Sequence, residues 1–223
     1  MIFQIYRNEE DRKYHEPSIV PFQNKSVWSA LYGDTATYID ILQKAKKEKA
    51  EMVGIYQARR YLSQASMPIT EDSITAKDKI YHTAYIIRGN NDGLFFNSHP
   101  TIRLALRELL EKLCEKQPEY RNTCTLFLNS NILYPHNMFI MPTKKFEEYS
   151  KWLQETLNLI KLPENCGLDK PYSLLAERLF TVWVMHNFAQ KDQILTEATA
   201  LHKVYGHKIN VIDGVADYVK FVF

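Results

Sequence analysis

The stretch Tyr134-Pro-His-Asn-Met-Phe-Ile-Met141 constrains the fold of this chain more tightly than any other. Pro135 fixes its own φ and pushes Tyr134 toward extended geometry, and Pro142 stops the run. Between them, Met138 to Met141 are four consecutive apolar residues, a pattern that suits a strand covered on both faces. An α/β architecture with a buried sheet follows. Asn137 stands out, because a polar amide at the mouth of a core strand needs hydrogen-bond partners. A local Asx-type turn can supply them, and so can a ligand.

The segments around this strand fit the same architecture. Ile2 to Tyr6 reads as a first strand, Arg7 to Pro17 as a charged loop and Ser18 to Phe22 as a short second strand. Tyr38, Ile41, Leu42 and Ala45 repeat at i, i+3, i+4, i+7, which predicts a helix capped by Asp34 or Thr35. Its lysine-rich tail, Lys44 to Lys49, suits the negative pole of the helix dipole. Glu51 to Tyr56 is a core strand followed at once by Gln57-Ala58-Arg59-Arg60-Tyr61. A helix feeding such a strand is half of a βαβ unit, and ligands collect beyond the carboxyl ends of strands of this kind. Ser63 to Lys79 reads as a polar surface loop, and Lys79 to Arg88 as a strand closed by the turn Gly89-Asn90-Asn91-Asp92-Gly93. Helices are predicted over Thr101–Lys116, about Tyr120–Asn129, Lys144–Ile160 (with Thr143 as cap) and Tyr172–His186. Residues 1–190 form the main domain, and 191–223 a helix and strand extension packed on it.

Composition narrows the function classes. A chain of 223 residues fits one large domain. A formal charge of +2 is too small for nucleic-acid binding by bulk electrostatics. Fourteen tyrosines and eleven phenylalanines suit broad, partly wet clefts, because tyrosine joins an apolar ring to a polar tip. Cys114, Cys124 and Cys166 are odd in number and lack a Cys-x-x-Cys spacing, so neither a zinc site nor a disulfide framework is expected. No run approaches the about 18 apolar residues of a spanning helix, and the start lacks the pattern of a signal peptide. A cytoplasmic protein with at most peripheral membrane contact is the expectation. Glycine-rich phosphate loops, His-Glu-x-x-His and Gly-x-Ser-x-Gly are missing from the sequence.

Several residues are candidates for chemistry. Glu177 and Arg178 interrupt an otherwise apolar helix, where a charged pair is costly unless partnered or facing a cleft. They form a structural ion pair, or Glu177 acts as a general base on a substrate hydroxyl. Arg59 and Arg60 could clamp a diphosphate, although adjacent extended residues point to opposite faces, so one should face the site and the other form salt bridges. Asn90-Asn91-Asp92 is turn chemistry, or offers a carboxylate and an amide to a divalent metal on nucleotide phosphates. His99, ahead of a proline-started helix, is a cap or lies near a phosphate site.

Three blocks together resemble a bacterial family, domain-of-unknown-function family 4422, found in capsule, exopolysaccharide and lipopolysaccharide glycosyltransferases. Val53-Gly54-Ile55-Tyr56-Gln57-Ala58-Arg59-Arg60-Tyr61-Leu62 is similar to the family's Val-Gly-Leu-x-His-Tyr-Arg-Arg-Tyr-Phe. Leu128 to Met141 follows the family pattern nearly throughout, and Ser173 to Trp183 is similar to its Leu-Ser-Glu-Arg-Leu-Phe-x-Val-Trp. The resemblance implies a single Rossmann-like, GT-A-type domain with a mostly parallel central sheet flanked by helices. It also implies transfer, inverting in outcome by direct displacement, of a sugar such as galactose from a UDP-sugar to a glycan or lipid-linked glycan. In that reading Glu177 deprotonates the acceptor. Arg59, Arg60, Gln57, Tyr56, Asn137, His99 and Asp92 would hold the donor, and Arg178, Tyr134 and His136 the acceptor. No Asp-x-Asp motif occurs, so Asp92 is the nearest candidate for a manganese or magnesium ion. The family's His-Tyr is Gln57-Ala58 here, which motivates the alternative of an inactive relative that binds a sugar nucleotide or glycan.

Overall fold

The computed structural model describes residues 1–64, 67–87, 89–93, 100–162, 167–188, 196–198, 200–205 and 208–211. Its strands are β1 (Ile2–Tyr6), β2 (Val20–Gln23), β3 (Met52–Gln57), β4 (Arg60–Gln64), β5 (Met67–Pro68), β6 (Ile80–His82), β7 (Tyr85–Ile86), β8 (Ile132–Leu133), β9 (Phe139–Pro142), β10 (Thr196–Ala198), β11 (Ala200–Tyr205) and β12 (Lys208–Val211). Its helices are α1 (Glu9–Arg12), α2 (Ser29–Tyr32), α3 (Tyr38–Lys47), α4 (Pro100–Lys116), α5 (Arg121–Asn129), α6 (Thr143–Leu157) and α7 (Pro171–Asn187).

At the core, β2, β1 and β3 lie side by side and parallel. β9 then runs antiparallel between β3 and β6. This reversal matters for the site, because it brings the amino end of β9 to the edge where β3 ends. The helix-fed strand β3 does not continue into a crossover. It turns back at once through Ala58 and Arg59, pairing Gln57 with Arg60. The second half of the expected βαβ unit is therefore a hairpin, and β4 goes on to pair with β11, which pairs with β12. β10 to β12 join the same sheet, so the extension supplies strands where a polar helix was expected. The apolar end, Asp217 to Phe223, lies outside the described residues.

Side-chain alternation explains why this sheet is buried on both faces. Phe3, Ile5, Val53, Ile55, Phe139 and Met141 point to one face and form a single core with α3, α4, α5, α6 and α7. Ile2, Met52, Tyr56, Met138 and Ile140 point to the other and pack with Tyr61, Leu62, Ile69 and Ile74. The 63–79 stretch is thus no bare surface loop: its isoleucines close the second face. Gly54 is required in that layer, since a Cβ there would sit 2.8 Å from Ile2 Cγ2 and 3.0 Å from Ile140 Cγ1.

Two expected caps and one expected turn residue take other roles. A 3₁₀ turn over Gly33–Thr37 precedes α3, and neither Asp34 nor Thr35 caps the helix. Thr143 is the first residue of α6; its hydroxyl donates to Ala50 O and its amide to Glu51 O (2.9 Å), tying α6 to the start of β3. Asn91 is fully buried, and its amide donates to Phe127 O (3.0 Å), Ser130 Oγ (3.2 Å) and Ile132 O (2.8 Å). Its amide nitrogen staples the expected turn to the end of α5.

His82, at the end of β6, is buried under Tyr134, with ring centroids 4.1 Å apart. Burial holds its imidazole down at about 4, against the opposing effect of the Thr83 carbonyl 2.9 Å from Nδ1. The unfolded chain takes up this proton near pH 6.5, so the contribution of neutral His82 is complete above that pH and disappears as pH falls toward 4. The expected loss is roughly 3 kcal/mol across that window. Urea unfolding of His82→Asn between pH 7 and 4.5 should show a flatter pH dependence than the parent chain; equal slopes would contradict this.

Candidate active site

The register that pairs Ile55 with Phe139 brings the end of β3 level with the turn before β9. In that turn His136 and Asn137 have φ of 77° and 52°, two successive left-handed residues. Such backbone costs on the order of 1–3 kcal/mol per residue, with asparagine among the best tolerated. The turn is held from three sides. Gln57 Nε2 donates to His136 O (2.8 Å), Arg60 Nη1 donates to His136 Nδ1 (2.9 Å), and Asn137 Nδ2 donates to Ser173 O (3.0 Å). Tyr38 Oη also reaches Asn137 O at 3.4 Å. Asn137 Oδ1, by contrast, is buried and has no hydrogen-bond partner among the described residues.

Helix α7 supplies the opposite wall. Pro171 sits in its first turn, where a missing N–H costs nothing. Lys170, Ser173, Leu174 and Glu177 then recur at helical spacing and present one face to the turn. Between α7 and the ends of β1 and β3 lies a cleft of about 400 Å³. It is lined by the cations Arg7, Arg59, Arg60 and Lys170 and by the acids Asp11, Asp34, Asp169 and Glu177, with Gln57 and Asn137 as neutral polar groups. Many of the charges are paired: Arg7 with Asp34 (3.3 Å), Arg59 with Asp11 (3.3 Å), Lys170 with Asp169 (2.7 Å) and Glu177 with Arg178 (3.3 Å). Burial raises the Asp34 carboxyl above its ordinary range, partly opposed by the Arg7 guanidinium.

Arg59, Arg60, Gln57, Asn137 and Glu177, drawn from sequence segments far apart, therefore meet at one cleft. Both arginines line it, against the expectation of opposite faces, because Arg59 lies in the hairpin turn and Arg60 opens β4, so they are not successive residues of one strand. Glu177 both pairs with Arg178 and lines the cleft. His136 lies behind the cleft as a support for Arg60. Three other candidates are buried away from it. Tyr56 is fully buried on the second sheet face, with its hydroxyl donating to Ile69 O (2.8 Å). Tyr134 lies in the core against His82 and Phe180, and burial pushes its hydroxyl up to about 12. Arg178 turns inward and donates to Leu174 O (2.9 Å). None of the three is placed to touch a ligand in this cleft.

Asp92 does not line the cleft either. Arg103 and Arg107 each grip its carboxylate with two hydrogen bonds of 2.6 to 3.2 Å, which holds its pKa well below the usual carboxylate range. With both oxygens doubly occupied, the donor set does not fit a manganese or magnesium ion at this residue. Among the described residues no group of three His, Cys, Asp or Glu side chains is arranged to hold a metal. His99 lies outside the described residues.

Sequence reasoning missed Arg7, Asp34, Lys170 and Ser173. Arg7 was legible, since it directly follows β1 and ligands gather beyond such strand ends. Asp34 was hidden by its resemblance to a helix cap. Gln4 was hidden altogether: inside β1, its buried amide donates to Ala58 O (2.9 Å) and Gln57 O (3.2 Å) and accepts from Glu16 N (2.7 Å), fixing the arginine turn from below.

The whole architecture is similar to the apo structure of the bifunctional glycosyltransferase WbbM, with a TM-score of 0.71 at 17% identity. That likeness covers 94% of this chain, which spans 46% of the WbbM chain. No curated protein matches the sequence. Residues 35–190, which include the arginine turn, the Asn137 turn and α7, match a family described as a domain of unknown function. By that match, over more than half its length, this chain belongs to the DUF4422 family.

Proposed function

We propose that this chain is a glycosyltransferase that binds a nucleoside diphosphate sugar in the cleft and passes the sugar to a glycan hydroxyl. The observation that carries this reading is the meeting, beside the carboxyl ends of β1 and β3, of four cations with four carboxylates, Glu177 among them, and a buried amide oxygen unpartnered among the described residues. The similarity of the fold to WbbM and the family match support it. Arg7, Arg59, Arg60 and Lys170 would offset the charge of the diphosphate, which grows as the diphosphate departs. Glu177 would take the proton of the acceptor hydroxyl. The acceptor oxygen then bonds to the anomeric carbon as the bond from that carbon to the diphosphate breaks, its electrons leaving with the nucleotide. Attack from the face opposite the leaving group inverts the anomeric centre.

The donor we infer is a UDP-sugar, with UDP-galactose the first to try. The acceptor is a glycan of a bacterial surface polysaccharide, lipid-linked and reached from the cytoplasmic side. No described helix is long and apolar enough to cross a membrane, so contact with that surface would be peripheral. Whether transfer uses a divalent ion is read by adding manganese, magnesium or a chelator.

Calorimetry with UDP and UDP-sugars is the direct test. Arg60→Met should weaken UDP binding by about tenfold to a hundredfold, the worth of one charge-assisted contact. Binding without hydrolysis or transfer would identify an inactive relative. No binding of any nucleotide would overturn the reading.

A further inference from the structure

The residues linking the cleft to α3 also wall a second hollow. Asp34 faces the cleft, whereas the next two residues, Thr35 and Ala36, line a groove of about 270 Å³ between this segment and α6. The volume is at the small end for small-molecule sites, which run from about 300 Å³ upward.

Its chemistry is unusual in two respects. No lining residue carries a charge. Apolar plates and hydrogen-bonding groups also alternate around it: Trp28, Ile39 and Leu157 on one hand, Ser150, Gln154 and Asn158 on the other. Trp28 is 60% exposed and Ile39 48%, large apolar side chains left uncovered side by side. Ser150, only 8% exposed, has a hydroxyl with no hydrogen-bond partner among the described residues.

We propose that this groove binds a neutral pyranose unit of a glycan. A sugar ring offers an apolar C–H face to the indole and a rim of hydroxyls to the amides, so it matches both sets of groups at once. An alkyl chain would cover Trp28 but leave the buried Ser150 hydroxyl unpaired, at a cost of about 1–3 kcal/mol. A phosphate or carboxylate would meet no counter-charge. The groove is coupled to the cleft through Tyr38, whose ring lines the groove while its hydroxyl reaches the carbonyl of Asn137. Tyr32, another lining residue, stacks at 4.6 Å on Tyr172, next to Ser173 of the cleft. A glycan seated here would extend past the segment that carries Asp34. The assignment of this glycan as acceptor rests on the glycosyltransferase reading; the binding of a sugar does not.

The chain's three tryptophans make the test specific. Trp152 and Trp183 are 8% and 3% exposed, so collisional quenching reports on Trp28. Lactose, cellobiose, mannobiose and maltose, titrated to millimolar concentration, are expected to include one that protects the fluorescence saturably from iodide. Gln154→Ala keeps the fluorophore and should weaken that disaccharide about tenfold or more. Trp28→Ala, followed by calorimetry, should abolish binding without changing UDP affinity. Protection by none of the four sugars, or by an uncharged alkyl glycol equally well, would overturn the proposal. UDP binding in the same preparations separates the two ideas. Nucleotide binding without sugar binding removes the groove alone, and sugar binding without nucleotide binding removes the transferase reading alone.

Discussion

Glutamine in place of Glu177 is expected to lower sugar transfer by about 10²- to 10⁴-fold, the usual worth of a positioned general base. The amide keeps the size and one hydrogen-bonding oxygen of the carboxylate but cannot hold a proton taken from the acceptor. Fold and donor binding should survive. Glu177 is 18% exposed at its side chain, and Arg178 retains its bond to Leu174 O when the 3.3 Å ion pair is lost. Arg178 is buried, so replacing its carboxylate partner leaves a charge without full compensation, and a stability loss of up to about 3 kcal/mol is expected. The measurement is single-turnover transfer from a saturating donor, alongside UDP affinity. Undiminished transfer with normal UDP affinity would remove Glu177 from the mechanism and turn attention to Asp34, the other cleft carboxylate that burial brings closer to a proton-accepting range.

Phe139→Ala should produce the largest loss of stability, about 3–5 kcal/mol. Phe139 is fully buried in the strand that carries the Asn137 turn. Its ring stacks on Phe180 at 5.0 Å and meets Tyr149 at 5.6 Å and Tyr38 at 5.9 Å, joining β9 to α7, α6 and α3. Truncation leaves a void among rigid rings that cannot collapse to fill it. A fall in Tm of about 10 °C or more is expected for a domain of this size. Phe139→Leu, which keeps most of the volume, should lose less than half as much. If both variants unfold with the parent chain, the aromatic cluster is not what fixes α7 against the sheet.

The helices were legible because their buried faces repeat every three or four residues: Ile102, Leu106, Leu109, Leu110 and Leu113 of α4 are all buried, as read. β9 was legible for a related reason, since an unbroken apolar run between prolines has few places to go. The arginine hairpin was not. Gln57-Ala58-Arg59-Arg60 carries neither glycine nor asparagine to announce a turn, and the turn is held by the amide of Gln4, 53 and 54 residues away along the chain. The same holds for Asn91, which looked like turn chemistry and is a buried staple.

At the site, the chain alone identified Arg59, Arg60, Asn137 and Glu177 as worth bringing together, because charged or amide side chains at the ends of apolar segments require an explanation. It could not tell which aromatic and charged residues of the same blocks face inward. Tyr56, Tyr134 and Arg178 sit one to three positions from cleft residues, and a single step along a strand or helix carries a side chain to another face. The antiparallel placement of β9 decided which ends meet, and so made one cleft from four distant segments. Local pattern set the identity of the elements; the faces they share, and therefore the chemistry, followed only from long-range packing.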